Sequence, residues 1–233
     1  MKQTFSLLLI AVFLCAGFSG CNANGKTKAG SSSSQGETFD KDASYALGMN
    51  LGASLKEGDI YPDLDEFIQG MKDALSDDKT RFDMDTAGVI FQQALSEQME
   101  KRNAENMEAE NVFLAENSKK PGITVTDSGL QYEVISEGSG PKPTANDRVK
   151  VHYEGALTNG SVFDSSYARG EPIEFPLGGV IPGWTEGLQL MNVGSKYRLF
   201  IPSGLGYGPQ GAGQQIPPYS TLVFEVELLD IVQ

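Results

Sequence analysis

The sequence predicts an α+β chain: an all-helical N-terminal dimerisation domain, a long linking helix, and a C-terminal antiparallel β-sheet wrapped on a short helix. Three observations carry this reading. Apolar residues recur every three or four positions from Phe39 to about Met99. A proline-free run extends from Asp83 to Lys119 and stops at Pro121-Gly122. Beyond Gly122 the hydrophobic period changes to two. A chain of 233 residues has room for one large domain or two small ones.

Residues 1–20, "MKQTFSLLLIAVFLCAGFSG", have the layout of a secretory signal peptide: Lys2, an apolar run from Leu7 to Leu14, then small residues at Ser19 and Gly20. The apolar run is shorter than the roughly 20 residues a spanning helix needs. The stretch "FSGC" resembles the bacterial lipobox, which makes Cys21 the expected lipidation site. Secretion without a lipid is the alternative, and Cys15, behind bulky Leu14, is the poorer cleavage position. With Cys15 removed and Cys21 acylated, no disulfide within the mature chain is expected. Residues 21–38 are rich in Ser and Gly and read as a flexible spacer after the lipidated cysteine.

The helical domain is expected over residues 39–121. Ala43, Leu47, Leu51 and Leu55 repeat every four residues and predict a helix from Lys41 to Leu55. Leu64, Phe67, Ile68, Met71 and Leu75 predict a second, with Asp63 as its cap. The run from Asp83 carries an apolar stripe at Met84, Ala87, Phe91, Leu95 and Met99. Its second half, "EKRNAENMEAEN", is polar nearly all round and reads as a bridge between separate bodies. Three small helices bury little alone, so pairing with a second copy through this region is expected.

Residues 122–233 form the predicted sheet domain. Leu130, Tyr132 and Val134 alternate with polar residues, as do Val149, Val151 and Tyr153, and again Leu222, Phe224, Val226 and Leu228. Between these strands, Pro182-Gly183 starts a short helix that buries Trp184, Leu188 and Met191, and a Gly- and Pro-dense loop follows from Pro202.

The formal net charge of −13 repels phosphate backbones and argues against nucleic-acid binding. His152 is the single histidine, so neither a Ser-His-Asp triad nor a multi-histidine zinc site can be assembled. By alternation it is an ordinary sheet-surface residue. "GLGYG" and "GPQGAG" precede no helix and carry no Gly-Lys-Ser ending, which rejects a phosphate loop. Ser203, Ser165 and Ser166 have no evident base, leaving nucleophilic catalysis unsupported. What remains is an apolar set, Tyr153, Phe163, Phe175, Val180, Ile181, Trp184, Tyr207 and Phe224, which spacing alone would place mostly in a core. Among them stands Asp164, an acid that needs a hydrogen-bonding partner if buried; aromatic hydroxyls or Arg169 can serve.

Four ordered blocks, "VHYEGALTNGSVFDSS", "VIPGWTEGLQLMNVGSKYRLFIP", "LGYG" and "IPPYSTLVFEVELLDI", closely resemble the FKBP-type peptidyl-prolyl cis-trans isomerases over about residues 125–233. Residues 39–121 look like the N-terminal dimerisation region of the macrophage-infectivity-potentiator-like branch. The resemblance implies a homodimer and an isomerase without cofactor or metal. Its expected catalytic groups are Asp164, the Tyr207 hydroxyl and the Ile181 backbone N–H. Substrate would be held by Tyr153, Phe163, Phe175, Val180, Trp184, Phe224, Ile216 and Arg169, with Trp184 as the floor. Ile173 stands where the family often has a pocket-edge Phe, and Gln215 where an apolar residue is common; both bear on substrate preference and on binding of macrolide inhibitors.

The expected activity is rotation of X–Pro bonds in exported proteins as they fold, with unfolded or partly folded chains as partners. The expected location is the bacterial outer membrane, through the lipid anchor only, facing the periplasm or the cell surface. Two rivals stand beside it: a holdase-type chaperone that uses the same cleft without significant catalysis, and a surface binding or scaffold protein with one defined partner.

Overall fold

The computed structural model describes residues 39–76 and 79–232. The expected signal peptide, Cys21 and the spacer lie outside them. Contacts divide the chain into two units between residues 78 and 79, so the long helix groups with the sheet, whereas the sequence reading sets the domain boundary at 121.

The first unit holds α1 (Lys41–Glu57) and α2 (Leu64–Leu75). Asp40 caps α1 by accepting the Ala43 N–H, and Asp63 caps α2 by accepting the Asp65 and Glu66 N–H groups, so each helix starts where an aspartate meets the orphan donors. No residue of either helix is buried. Tyr45, Leu47, Met49, Leu64, Ile68 and Leu75 are all exposed, an apolar surface that a lone small unit does not normally leave in water.

The second unit begins with α3 (Met84–Asn117), capped by Asp83, whose carboxylate accepts the Thr86 N–H and whose carboxyl is thereby held below its ordinary range. Its 34 residues span about 50 Å at 1.5 Å each. The strands follow: β1 (Ile123–Val125), β2 (Gln131–Ser136), β3 (Arg148–Leu157), β4 (Val162–Ser165), β5 (Ile173–Pro176), β6 (Lys196–Ile201) and β7 (Leu222–Val232). A single turn, α4 (Ser166–Arg169), leaves β4, and α5 (Pro182–Leu190) follows β5. The sheet runs β1-β2-β6-β7-β3-β4 with β5 also on β3, and every pairing is antiparallel. Alternation along β3 and β7 sends Val149, Val151, Tyr153, Leu222, Phe224, Val226 and Leu228 to one buried face, as their spacing predicts.

That face is covered by α5, which has Pro182 at its first turn and buries Trp184 and Leu188, with Met191 buried just past its end. Gly183 and Gly187, one helical turn apart, let α5 lie almost on β6. A Cβ would stand 2.4 Å from Ile201 Cγ2 at the first and 2.7 Å from Leu199 Cδ1 at the second.

The opposite face is not bare. The second half of α3, polar in sequence and expected to bridge, docks there: the Phe113 and Phe200 rings lie 6.1 Å apart, and Asn117 Nδ2 donates to Gln131 Oε1 at 2.9 Å. Gln131 Nε2 in turn donates to the Leu114 carbonyl. This corrects the reading of β2 as well. Leu130 is buried and Tyr132 packs on the core as alternation predicts, but Val134 is exposed and Gln131 is buried as well, because the end of α3 covers the glutamine and satisfies its amide. Across the same face Arg198 pairs with Glu133 at 2.9 Å and Glu225 at 2.6 Å.

Replacing Gln131 by Ala should cost about 1–3 kcal/mol, since it leaves the buried Asn117 side-chain N–H without its acceptor, while the Leu114 carbonyl keeps the Ser118 N–H. Urea unfolding followed through Trp184, the single tryptophan, checks this; an unchanged midpoint would mean the pair contributes nothing.

Candidate active site

Between α5 and the open end of the sheet lies a cavity of about 600 Å³. Its floor is Trp184, placed by the first turn of α5. Tyr153 of β3 and Phe224 of β7 meet the indole edge-on at 5.1 Å each, and Phe175 of β5 tilts against it at 5.4 Å. Phe163 of β4 stands edge-on to Phe224 at 5.5 Å and continues the wall. The Trp184 Nε1–H is buried with no acceptor among the described residues, the sort of unsatisfied donor that functional sites retain.

The wall closes because Gly155 has no side chain. It pairs with Asp164 on one side and Phe224 on the other, at a register shift in the β3–β4 ladder. A Cβ there would lie 2.5 Å from Phe224 and 2.7 Å from Phe163.

Asp164 is the acid of the site. The Tyr153 hydroxyl donates to its Oδ2, Arg169 Nη1 donates to its Oδ1, and Arg169 Nη2 donates to the Tyr153 oxygen at 2.9 Å, closing a three-member ring of contacts. Burial pushes the Asp164 carboxyl up, but the Tyr153 hydrogen bond and the Arg169 guanidinium outweigh it and hold the group below its ordinary range. Burial, and then the carboxylate it donates to, push the Tyr153 phenol up, so it stays protonated as the donor.

Arg169 reaches this position through local chain chemistry. Ser165 caps α4 by accepting the Ala168 N–H at 3.3 Å, and Gly170 ends the turn at φ 81°, leaving Arg169 as the last residue, beside the acid. The turn is tied to β3 by buried Ser166, whose Oγ accepts the Tyr153 N–H at 2.8 Å and donates to the Tyr153 carbonyl at 3.1 Å. His152 Nδ1 lies 2.9 Å from the same oxygen, and its ring stacks on Tyr167 at 4.6 Å.

Two sequence expectations change here. His152 is half-buried and braces the α4 turn rather than standing as a plain surface residue. Ser166 does touch the histidine, and Ser203 touches Glu110 at 2.9 Å, so neither lacks a polar neighbour. Both serines are buried, and Ser166 is already engaged with the Tyr153 backbone, so neither is presented to a substrate.

The structure brings Tyr153, Phe163, Asp164, Phe175, Val180, Ile181, Trp184, Tyr207, Ile216 and Phe224 to the one cavity. Arg169 does not line it; it stands behind Asp164. Ile173 lines it and exposed Gln215 does not. Ile181 is the N-cap residue of α5, so its N–H takes no part in that helix's own hydrogen-bond ladder. Ile216 is buried by a two-bond bridge to Ala212, while Tyr207 is exposed at the rim. Gly155, Ser166 and His152 were missed as supports: only the three-dimensional pairing of β3 with β4 and β7 makes them neighbours of the site.

Two outcomes follow. Gly155→Ala should destabilise by about 1–3 kcal/mol through overpacking between two rings, measured by urea unfolding; no loss would mean the rings shift freely. An NMR titration of the Asp164 carboxyl should give a midpoint below 3.8, and Arg169→Met should move it up. The folded carboxyl lying below its unfolded value means this contact stabilises above the ordinary aspartate range and is lost as pH falls through the folded midpoint. A midpoint at or above 3.8 would contradict the network.

The chain is similar to known proteins over most of its length. Residues 140–229 match the family "FKBP-type peptidyl-prolyl cis-trans isomerase", and residues 40–134 match the "domain amino terminal to FKBP-type peptidyl-prolyl isomerase". The FKBP-type 22 kDa peptidyl-prolyl cis-trans isomerase of Escherichia coli is 48% identical over 84% of this chain and 97% of its own. The outer membrane protein MIP of Legionella longbeachae is 41% identical over 83% of this chain and 87% of its own. Among solved structures, FkpA from Escherichia coli superposes with a TM-score of 0.69 at 40% identity, covering 84% of this chain and 97% of that one. With such relatives matching most of its length, and with an aromatic cup that carries one oriented carboxylate, this chain belongs to the FKBP-type peptidyl-prolyl cis-trans isomerases.

Proposed function

We propose that the cup accelerates X–Pro rotation by favouring the twisted amide, and that it does so on exported proteins as they fold. A planar amide owes its barrier of about 18–20 kcal/mol to resonance that separates charge between oxygen and nitrogen. Uncatalysed X–Pro isomerisation takes tens to hundreds of seconds. Twisting removes that charge separation, so a water-poor pocket of Trp184, Tyr153, Phe175 and Phe224 stabilises the twisted form relative to the planar one. The Asp164 carboxylate beside the carbonyl oxygen further disfavours the charge-separated planar form. The Ile181 N–H and the Tyr207 hydroxyl hold the peptide backbone, and no nucleophile, cofactor or metal takes part in the rotation. The single observation that carries this reading is the oriented, ionised Asp164 at an otherwise apolar cavity.

Ile173 on the cavity wall widens the rim where an aromatic edge would narrow it, and this sets both peptide preference and affinity for macrolide inhibitors. The N-terminal helices form a homodimer: the apolar faces of α1 and α2, and separately Met84, Val89 and Phe91 on α3, are exposed in the single chain and match what a second copy would cover. The chain is exported and held at a membrane through Cys21, consistent with its likeness to a relative named as an outer membrane protein. The same exposed helical faces also fit a client-holding chaperone, the second reading.

The cis-to-trans rate of a short Xaa-Pro peptide with residues 39–233 decides the first reading. Asp164→Leu should lower kcat/KM by about tenfold or more, and Tyr207→Phe by about threefold, as loss of a charged and of a neutral hydrogen-bonding group respectively. Wild-type rates in both variants would contradict these roles. If aggregation of a proline-free client is suppressed and Asp164→Leu leaves that unchanged, holding is a separate activity. Sedimentation equilibrium at micromolar concentration should give a dimer that Ile68→Asp shifts to monomer; a wild-type monomer removes the pairing proposal.

A further inference from the structure

The loop from Pro202 to Thr221 carries Tyr207 and Ile216 into the cavity, yet it has little regular structure of its own beyond two short 3₁₀ turns and the Ala212–Ile216 bridge. Both of its ends rest on α3. Glu110 accepts the Ser203 N–H at 2.6 Å and the Ser203 hydroxyl at 2.9 Å where the loop begins, and the Thr221 hydroxyl at 3.0 Å where it ends. Ser203 and Thr221 are buried, so these donors have no ready exchange with water. One helical turn earlier, Asn106 Nδ2 donates to the Pro218 carbonyl at 2.9 Å. The next residue, Tyr219, is held at φ 57°, a conformation rare for a bulky side chain, and its N–H donates to the Gly208 carbonyl at 2.9 Å. Gly208 directly follows Tyr207. A continuous chain of contacts therefore runs from the polar face of the linking helix to the cavity rim.

We infer that α3 is part of the substrate-recognition machinery, with Glu110 as the principal positioning residue and Asn106 as the second: together they hold the Tyr207–Ile216 loop in the shape that receives the peptide. The inference rests on the isomerase reading for its kinetic arm. Glu110 touches no substrate; it acts by sparing the bound peptide the cost of ordering the loop. A loosened loop weakens ground state and transition state alike, because Asp164 is anchored separately by Tyr153 and Arg169. The signature is thus a raised KM with kcat nearly unchanged.

The test uses the full chain in four forms. Glu110→Ala should raise KM for an Xaa-Pro peptide about tenfold, as expected for orphaning several buried donors, with kcat within about twofold. Glu110→Gln should restore KM, since its amide oxygen can still accept the Ser203 N–H and its NH2 can donate to a hydroxyl. Phe113→Ala removes the docking against Phe200 and the ring contact with Lys120 but no hydrogen bond to the loop; it should lower Tm at least as much as Glu110→Ala and leave KM near wild type. A second arm does not depend on catalysis: amide hydrogen exchange at 203–221 should speed up in Glu110→Ala alone, and peptide binding read by Trp184 fluorescence should weaken in parallel. A wild-type chain that binds peptide but does not turn it over defeats the isomerase reading and leaves this arm to decide. Unchanged KM, binding and loop exchange in Glu110→Ala would overturn the clamp, as would an equal rise in KM in Phe113→Ala.

Discussion

A carboxylate that must stay charged at the edge of an apolar cup is the constraint around which the sheet domain is arranged. Burial by itself pushes the Asp164 carboxyl up. Its partners reverse that, and each needs its own support. Tyr153 is fixed by its ring contacts with Trp184 and by a backbone that shares Ser166 with the α4 turn. Arg169 is delivered by that same turn, which a serine opens and a left-handed glycine closes. The β3–β4 register shift at Gly155 sets the acid beside the rings rather than among them. Removing any of these leaves the others with an unpaired charge or an unfilled gap, so the supports of the site depend on one another.

Much of this was legible in the sequence because it rests on periodicity and on residue chemistry. Alternation in β3 and β7 put Tyr153 and Phe224 on the core face, Pro182 marked the start of α5, and Asp63 marked α2. Alternation could not tell a cup from a core, since residues lining a cavity and residues filling one follow the same period; ordered family blocks made that distinction. Gln131 and Glu110 were not legible. Both are polar residues that hydropathy assigns to water, and both are withdrawn from it by a partner far away in the chain: Gln131 by the end of α3, Glu110 by Ser203 and Thr221. The polar half of α3 shows the same failure. Asn106, Glu110, Phe113 and Asn117 form a docking stripe spaced four, three and four residues apart, and three of its members are hydrogen-bonding groups that no apolar pattern registers.

The two faces of the sheet thus have different tasks. On one, α5 makes close backbone contact through Gly183 and Gly187 and sets Trp184 at the floor of the cavity. On the other, α3 meets the domain through polar bonds whose geometry is directional rather than merely apolar.

The account's central claim is that Tyr153, Asp164 and Arg169 work as one unit in orienting a single charge. A double-mutant cycle with Tyr153→Phe and Arg169→Met, read as kcat/KM for an Xaa-Pro peptide, tests it most directly. A unit predicts that the double variant loses little more than the worse single variant, because either change alone already frees the carboxylate. Losses that multiply would show the two residues acting independently and would contradict the claim.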